Sequence, residues 1–489
     1  MPYAVAGILT YLVLGVVGFV VRPGWLLGLL AVAAGAATLA LWAPGFPPGL
    51  LLGETWGVAV GGDRVALVFW ALALVLHLAV VLHERHRTGP FHPLLTLLVG
   101  TSLACAVSQD IFNFYVVLEL VSLISFILVS YESEPKAVWA SLKYLVLATA
   151  GMTFYLLGLG IVYVRTGTLG LALMAERVTQ GDPVLVAGVG LLVAGLAAKS
   201  GLFVLGLWLP SAHGYAPTGV SAILSGLVVK LGVLGLARLA EVFPIEGLVL
   251  ALGVVTGLGG LVYALWEWDI KLFLAHHTVS QLGYVLVGLG LGGEAAWGAV
   301  LYAAAHGLFK GLLFLSAGQA IYEVGERDLD RLRGKLSLPC ALALAVGTWA
   351  IVGLPPLGGF VAKAVLADHS TAGWLAVLVI LSLGTAASFA RLLPHFRSAG
   401  RGTRSRGFLL LELALLTMGV WGLVTFPGAR DVGEWLKSLI VVAAGYGLHR
   451  LVHRQRVQLP ALTLDRSFVL LLLGTLALVA VGLASWVLL

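Results

Sequence analysis

The chain has 489 residues, of which 60% are hydrophobic and 11% charged, with a mean hydropathy of +1.03. No single soluble core buries that much apolar side chain, which excludes a water-soluble globular protein. The formal charge of +6 and pI near 9.3 would suggest an anionic partner in a soluble protein, but in a membrane chain Lys and Arg report topology instead.

Apolar runs of about 20 residues, the length a helix needs to cross ~30 Å of hydrocarbon, recur from end to end. They are predicted at 3–21, 24–42, 64–83, 92–109, 110–131, 138–163, 184–209, 218–241, 246–265, 270–291, 297–319, 337–366, 373–395, 408–426, 433–450 and 467–488. The expectation is an all-α polytopic membrane protein with fourteen to sixteen transmembrane helices, since backbone groups in lipid must be satisfied within helices. The first segment lacks a charged n-region and is followed by "RPGW", so it reads as a retained helix rather than a signal peptide. The fourth and fifth segments touch at Asp110, and the fifteenth is short and carries Lys437.

If the segments alternate, the odd-numbered connections hold seventeen Lys and Arg residues, among them Arg85, Arg87, Lys271, Arg327, Arg401, Arg454 and Arg456, and the even ones hold six. This bias places the odd connections in the cytoplasm and the N-terminus outside, in the inner membrane of the cell. The run "RSAGRGTRSRG" then serves as a topology anchor, and no nucleic-acid partner is expected. Cys105 and Cys340 are the only cysteines and lie far apart in sequence, so neither a disulfide framework nor a metal cluster follows.

No polar stretch is long enough to be a soluble domain. The longest, "YEVGERDLDRLRGKLSLP", reads as a solvated turn or a docking surface for a neighbouring subunit. Two stretches break the helical pattern in similar ways: "GLWLPSAHGYAPTG" after the seventh segment and "VGLPPLGGF" inside the twelfth. Pro removes a backbone donor and Gly weakens the helix. Paired interruptions of this kind point to an internal repeat and its ion path, although Pro and Gly are also simply commoner in membrane helices. Gly288, Gly290 and Gly293 match a dinucleotide-binding pattern, but they end an apolar helix rather than follow a strand, and read as helix-packing residues.

Glu119, Lys199, Lys230, Lys310 and Lys363 fall inside apolar segments. At about 2.5–3.5 kcal/mol for each unpaired charge at a helix centre, five would cost on the order of 10 kcal/mol, so they must pair or meet water. Packing salt bridges are the plain alternative, but five charges on separate segments suit a proton or cation relay better, because moving one charge changes the protonation of the next. Lys143 at the start of the sixth segment, and Arg391 near the end of the thirteenth, read as snorkelling residues. His306 and Lys310 are four apart and share a helix face. His276 and His277 open the tenth segment with Ser280 and Gln281 behind them. Metal ligation is the rival reading for that pair, but adjacent helical residues point about 100° apart and no further ligand keeps the spacing of a site. His213, in the first interruption, is either a gate or relay residue or a polar loop contact.

These motifs resemble the antiporter-like membrane subunits shared by respiratory complex I, membrane-bound hydrogenases and multisubunit Mrp-type sodium/proton antiporters. The resemblance covers about residues 92–395 and rests on "FNFYVVLELVSL", "SLKYLVLATAG", "AAKSGLFVLGLWLPSAHGYAPTGVSAILSGLVVKLGVLGL", "WDIKLFLAHHTVSQLGYVLVGLG", "HGLFKGLLFLSAG" and "VGLPPLGGFVAK". It implies that Glu119 is the family's fifth-helix glutamate, paired with Lys199, and that Lys230 is the eighth-helix residue. His306 and Lys310 match the eleventh-helix polar pair, and Lys363 the lysine of the exit half-channel. It further implies two inverted five-helix repeats with interrupted seventh and twelfth helices. The chain then divides into residues 1–91, 92–241, 242–396 and 397–489. Ser211 stands where many members have Asp, and "LAHHTVSQ" replaces a more usual "AYSSISQ", so the gate and central relay are expected to be tuned differently.

The functional expectation is a proton- and cation-translocating subunit of a multisubunit membrane complex, of the Mrp monovalent cation/proton type. It would have no cofactor, no metal and no catalytic chemistry of its own. The alternatives are the same module in a redox-driven pump, a quinone reductase or a hydrogenase, and a membrane scaffold for an enzyme of inorganic carbon uptake.

Overall fold

The computed structural model describes residues 2–42, 46–51, 57–179, 181–397, 400, 402, 404–452, 457, 459–460 and 463–487. Arg401, Arg454 and Arg456, which contribute to the charge bias, lie outside the described residues, as does Leu488 at the end of the sixteenth segment.

Every predicted segment forms helix among the described residues, and two of them, 184–209 and 337–366, are interrupted. The helices are α1 (Pro2–Val17), α2 (Gly24–Trp42), α3 (Arg64–His83), α4 (Phe91–Val107), α5 (Ile111–Val129) and α6 (Pro135–Thr166). Helix α7 is split into α7a (Pro183–Lys199) and α7b (Leu209–Tyr215). Then come α8 (Thr218–Ala240), α9 (Glu246–Trp266), α10 (Ile270–Leu291) and α11 (Gly293–Val324). Helix α12 is split into α12a (Leu338–Val352) and α12b (Gly358–Asp368), followed by α13 (Ala372–Phe389), α14 (Arg406–Thr425), α15 (Val432–Val452) and α16 (Leu464–Val487). Eleven of the described helices are long and apolar enough to cross a membrane on their own, and α1, α4, α7a and α12a are shorter apolar pieces.

The helix starts are written in the sequence. Asp63, Asp110, Asp182 and Asp269 each sit at an N-cap and accept from first-turn backbone N–H groups, as at Asn113 N, 2.7 Å from Asp110 Oδ1. Such a cap satisfies donors the helix itself cannot. Asp110 is therefore what separates α4 from α5.

Not every element is helical. Between α2 and α3 an antiparallel hairpin forms from β1 (Phe46–Leu51) and β2 (Val58–Gly62), pairing Leu51 with Val58 and Gly49 with Val60. It closes on the α4–α5 junction, where Gln109 N donates to Ala59 O at 2.9 Å. By sequence this stretch is only a connection, because "FPPGLL" carries two prolines and no alternating pattern.

The core lies where α8, α10 and α11 are wrapped by the other helices, and these three are almost wholly buried while α2, α14 and α16 keep wide apolar outer faces. Close approach is set by small residues. A Cβ on Gly283 of α10 would come within 2.4 Å of the Gly257 Cα of α9, so the two backbones touch there and nothing larger fits. Gly283→Ala should force α9 and α10 apart and destabilise the protein by about 1–3 kcal/mol, read as a lower Tm of the detergent-solubilised protein. An unchanged Tm would show that the two helices slide freely.

Candidate ion-translocation seam

Both interruptions are open turns with specific backbone repairs. In the first, over residues 200–208, Leu202 N reaches back to Ala197 O and the Trp208 indole N–H donates to Ala198 O at 2.8 Å. In the second, over 353–357, Gly353 has φ +86°, a left-handed value that glycine adopts without strain. There Trp349 Nε1 donates to Pro355 O at 3.0 Å. A third irregularity, which the sequence does not announce, is a wide π-helical turn over Leu224–Val228 inside α8. It leaves carbonyls out of the regular ladder, as such turns do at functional sites.

The intramembrane charges meet these features. Lys199, at the end of α7a, donates to Glu119 Oε1 at 2.9 Å, so the contact expected between them is present. The Lys199 side chain is 1% exposed but Glu119 is 23% exposed, on a flank of α5 beside the exposed Val116, Leu120 and Leu123. The carboxylate thus lies at the rim of the chain rather than enclosed in it. The other lysines have carbonyl partners. Lys230 Nζ donates to Ser225 O at 2.7 Å and Gly226 O at 2.8 Å, both in the π turn. Lys310 donates to Leu274 O at 2.7 Å, and Lys363 to Ile351 O at 3.0 Å and Val352 O at 3.4 Å, at the α12 break.

Histidines and hydroxyls fill the intervals. His306 lies in the electrostatic field of Lys230, Lys310 and His213, and His277 in that of Lys310 and Lys363. His277 Nε2 is hydrogen-bonded to Ser388 Oγ at 2.7 Å. The buried His306 ring has no hydrogen-bond partner on either nitrogen among the described residues, and His213 is buried between the rings of Trp208 and Phe314. Beyond them Gln281 joins the Tyr302 hydroxyl and donates to Thr385 Oγ1 at 3.1 Å. The Tyr284 hydroxyl meets Ser382 Oγ at 2.9 Å, and the Lys363 ammonium lies 5.0 Å from the Tyr284 ring centre. His276 stands apart. It stacks on Tyr263 and faces Glu267 Oε2 at 4.0 Å, in a cavity of about 500 Å³ that Lys143 and Ser211 also line. Among the described residues no three His, Cys, Asp or Glu side chains converge as a metal site.

Two residues expected to snorkel do not. Lys143 is 6% exposed and borders that cavity, and Arg391 lies over the Trp268 ring at 4.3 Å while donating to Leu265 O. Both side chains are nearly covered in the folded chain, so position along a segment misleads where packing decides.

Sequence reasoning also misses a polar cluster at the ends of α3, α7b, α8 and α10. Glu84, buried at the end of α3, accepts from Gly219 N at 2.9 Å in the first turn of α8 and from Arg87 Nε at 2.7 Å, and Arg87 reaches Glu132 at 2.6 Å. Nearby, Arg327 joins Asp269 at 2.5 Å and Gly214 O at 2.6 Å, and Lys271 Nζ donates to Ala216 O. The only signal is the clustering of charges at helix ends next to an interruption, which a solvated loop also shows.

Residues 108–388 match the family described as NADH:quinone oxidoreductase/Mrp antiporter, TM. The chain belongs to this family. It is 32% identical over 376 residues to NADH-quinone oxidoreductase subunit N of Desulforudis audaxviator (strain MP104C), covering 72% of this chain and 74% of that one. It is 30% identical over 359 residues to a subunit of the Na(+)/H(+) antiporter of Alkalihalophilus pseudofirmus (strain ATCC BAA-2126 / JCM 17055 / OF4), covering 69% and 72% respectively. The fold is similar to a chain in the structure of the Mrp complex from Dietzia sp. DQ12-45-1b, with a TM-score of 0.82 at 23% identity, covering 97% of this chain and 59% of that one. The protein is therefore a multi-pass, antiporter-like membrane subunit of the kind these complexes contain. The family match ends before α14, so the last three helices lie outside it.

Burial alone would raise the carboxyl of Glu84, but Arg87, the His83 ring and the Gly219 N–H outweigh it and hold the group below the usual carboxylate range. A lowered pKa means stability that is present above the unfolded-state value and lost as pH falls through the folded-state value. Glu84→Gln should lower stability by about 2 kcal/mol at pH 7. The gap to the parent protein should shrink below about pH 4, where the unfolded-state group is protonated. Melting curves of both proteins across pH check this, and a gap that widens on acidification contradicts it.

Proposed function

We propose that this chain is a proton- and cation-translocating subunit of a multisubunit membrane complex, working by Mrp-type exchange of a monovalent cation for protons. One observation carries the reading: buried cationic and polar side chains lie together from Lys230, His306 and Lys310 to His277, Gln281, Tyr302, Tyr284 and Lys363, and the Glu119–Lys199 pair is read as the start of this row. In this reading the Glu119–Lys199 pair is the switch. When it opens, the change in charge alters the protonation of Lys230 and Lys310 beyond it. His306 and His213, buried side by side with these lysines, are the exchange points of the central stretch, His277 hands on toward Lys363, and His276 with Glu267 serves the opposite face.

Residues 92–241 and 242–396 are read as two inverted five-helix units, α4–α8 and α9–α13, each interrupted in its fourth helix, with residues 1–91 and 397–489 flanking them. The N-terminus is outside, in the inner membrane, from the Lys and Arg bias of the odd connections. Sodium as the cation is supported by the name of the Na(+)/H(+) antiporter relative. A second reading is favoured by the 32% identity to a quinone oxidoreductase subunit: the same row works under redox chemistry in partner subunits.

Sodium-dependent proton movement in everted vesicles carrying the whole complex, with and without a redox substrate, separates the two readings. Glu119→Gln and Lys199→Ala should each assemble but reduce proton movement about tenfold or more, as loss of a positioned proton-transfer group does. Unchanged transport in assembled Glu119→Gln and Lys199→Ala complexes would leave only a scaffold role.

A further inference from the structure

The fifteenth predicted segment is short and carries Lys437, and that residue leads to a site. Helix α15 lies beyond the matched family region, yet it covers the α12 break. Ser438 Oγ donates to Gly353 O at 2.6 Å, on the carbonyl next to the two that hold Lys363. The Trp435 ring meets Phe360 edge-on at 6.1 Å between centres. Between these contacts is a cavity of about 120 Å³, bordered by Lys363, Tyr284, Ser382, Glu434, Lys437 and Ser438. That is room for several water molecules.

The cavity runs along α12b from the break at Gly353 to Ala367 near the end of that helix, and there it meets the first turns of α15 at Glu434, Lys437 and Ser438. The Asp269–Arg327 and Glu84–Arg87 cluster is at the opposite ends of the helices. Across the cavity from Lys363, Glu434 is held by Lys437 at 2.5 Å, with side chains 26% and 71% exposed, so this ion pair is the lip between cavity and solvent. Asp431 and Asp368 also act on Lys437, but Asp431 is engaged in capping α15 through Gly433 N at 2.9 Å, and neither borders the cavity. Glu434 is the one carboxylate among the described residues that line it.

We propose that Glu434 is the outer relay carboxylate for Lys363, gated by its ion pair with Lys437. This rests on the reading of Lys363 as part of the translocation path. The Lys363 ammonium gives its proton across the cavity to the Glu434 carboxylate, leaving a neutral amine and a neutral acid. The acid releases the proton to the outside, and the returning carboxylate is held again by Lys437. While the pair is closed, the acceptor is occupied and the path is shut.

The test measures proton movement by the whole complex in everted vesicles, with subunit content quantified on blots. E434Q should assemble normally and move protons about tenfold more slowly, and E434D should recover most of the rate, since a carboxylate is required rather than a particular length. The exchange variant E434K/K437E keeps an ion pair but moves the carboxylate, and should stay slow. Full recovery in that variant would mean a structural clamp and overturn the proposal. A normal rate in E434Q with none in K363A overturns the proposal while leaving the translocation path standing, whereas a normal rate in K363A removes both. Should E434Q fail to accumulate, K437Q leaves the carboxylate in place and unclamped. It should run about threefold faster, a change of the size an exposed ion pair supports, and an unchanged rate overturns the proposal.

Discussion

A carbonyl that leaves its helix inside a bilayer has no water to turn to, and this fold is arranged around that constraint. The chain interrupts two helices and widens a turn in a third, then sets lysine ammonium groups over the carbonyls these irregularities release. Lys363 serves the end of α12a, Lys230 the π turn, and Lys271 the last carbonyl before the Pro217 corner. Each arrangement gives a carbonyl outside a regular ladder a donor and gives the ammonium an acceptor. A carbonyl also suits a group that changes charge. The neutral amine still donates a hydrogen bond to it, so the packing survives proton loss, whereas a carboxylate partner would hold the charged form. Among the described residues Lys199 is the one lysine of the row with a carboxylate partner, and that partner reaches the edge of the chain.

Much of this is legible in the sequence. Helices long enough to span a bilayer announce themselves by composition, so the segments, the Asp110 division and both interruptions can be read from apolar runs punctuated by Asp, Pro and Gly. Charged residues inside such runs are too costly to be incidental, which makes Glu119, Lys199, Lys230, Lys310 and Lys363 stand out. What cannot be read is partnership. Five such charges suggest ion pairs, but only Glu119 and Lys199 form one, while Lys230, Lys310 and Lys363 rest on backbone carbonyls, which carry no sequence signature. The π turn is invisible for the same reason: "ILSGLVVK" has the same apolar character whether its turn is regular or wide.

Position along a helix is likewise a poor guide to which side is covered. Lys143 and Arg391 sit near segment ends, where a long side chain usually reaches water, but both are nearly covered in the folded chain. The hairpin β1–β2 escapes a pattern-based reading because it is held by the α4–α5 junction rather than by an alternating pattern of its own. In each case tertiary contact overrides a local rule.

The π turn in α8 has a meaning beyond its hydrogen bonds. A wide turn holds one residue more than a regular one, so it amounts to a single inserted position between Ile223 and Val229. Losing that position would restore an unbroken helix with a regular hydrogen-bond ladder. It would also rotate everything after it by about 100°. Lys230 would swing off the row, and Gly232 and Gly235 would turn away from Ser200 and Leu196, the close neighbours that only a glycine admits there. The length of this one turn is thus a record of which way the lysine has to face, kept in the count of residues and not in their chemistry.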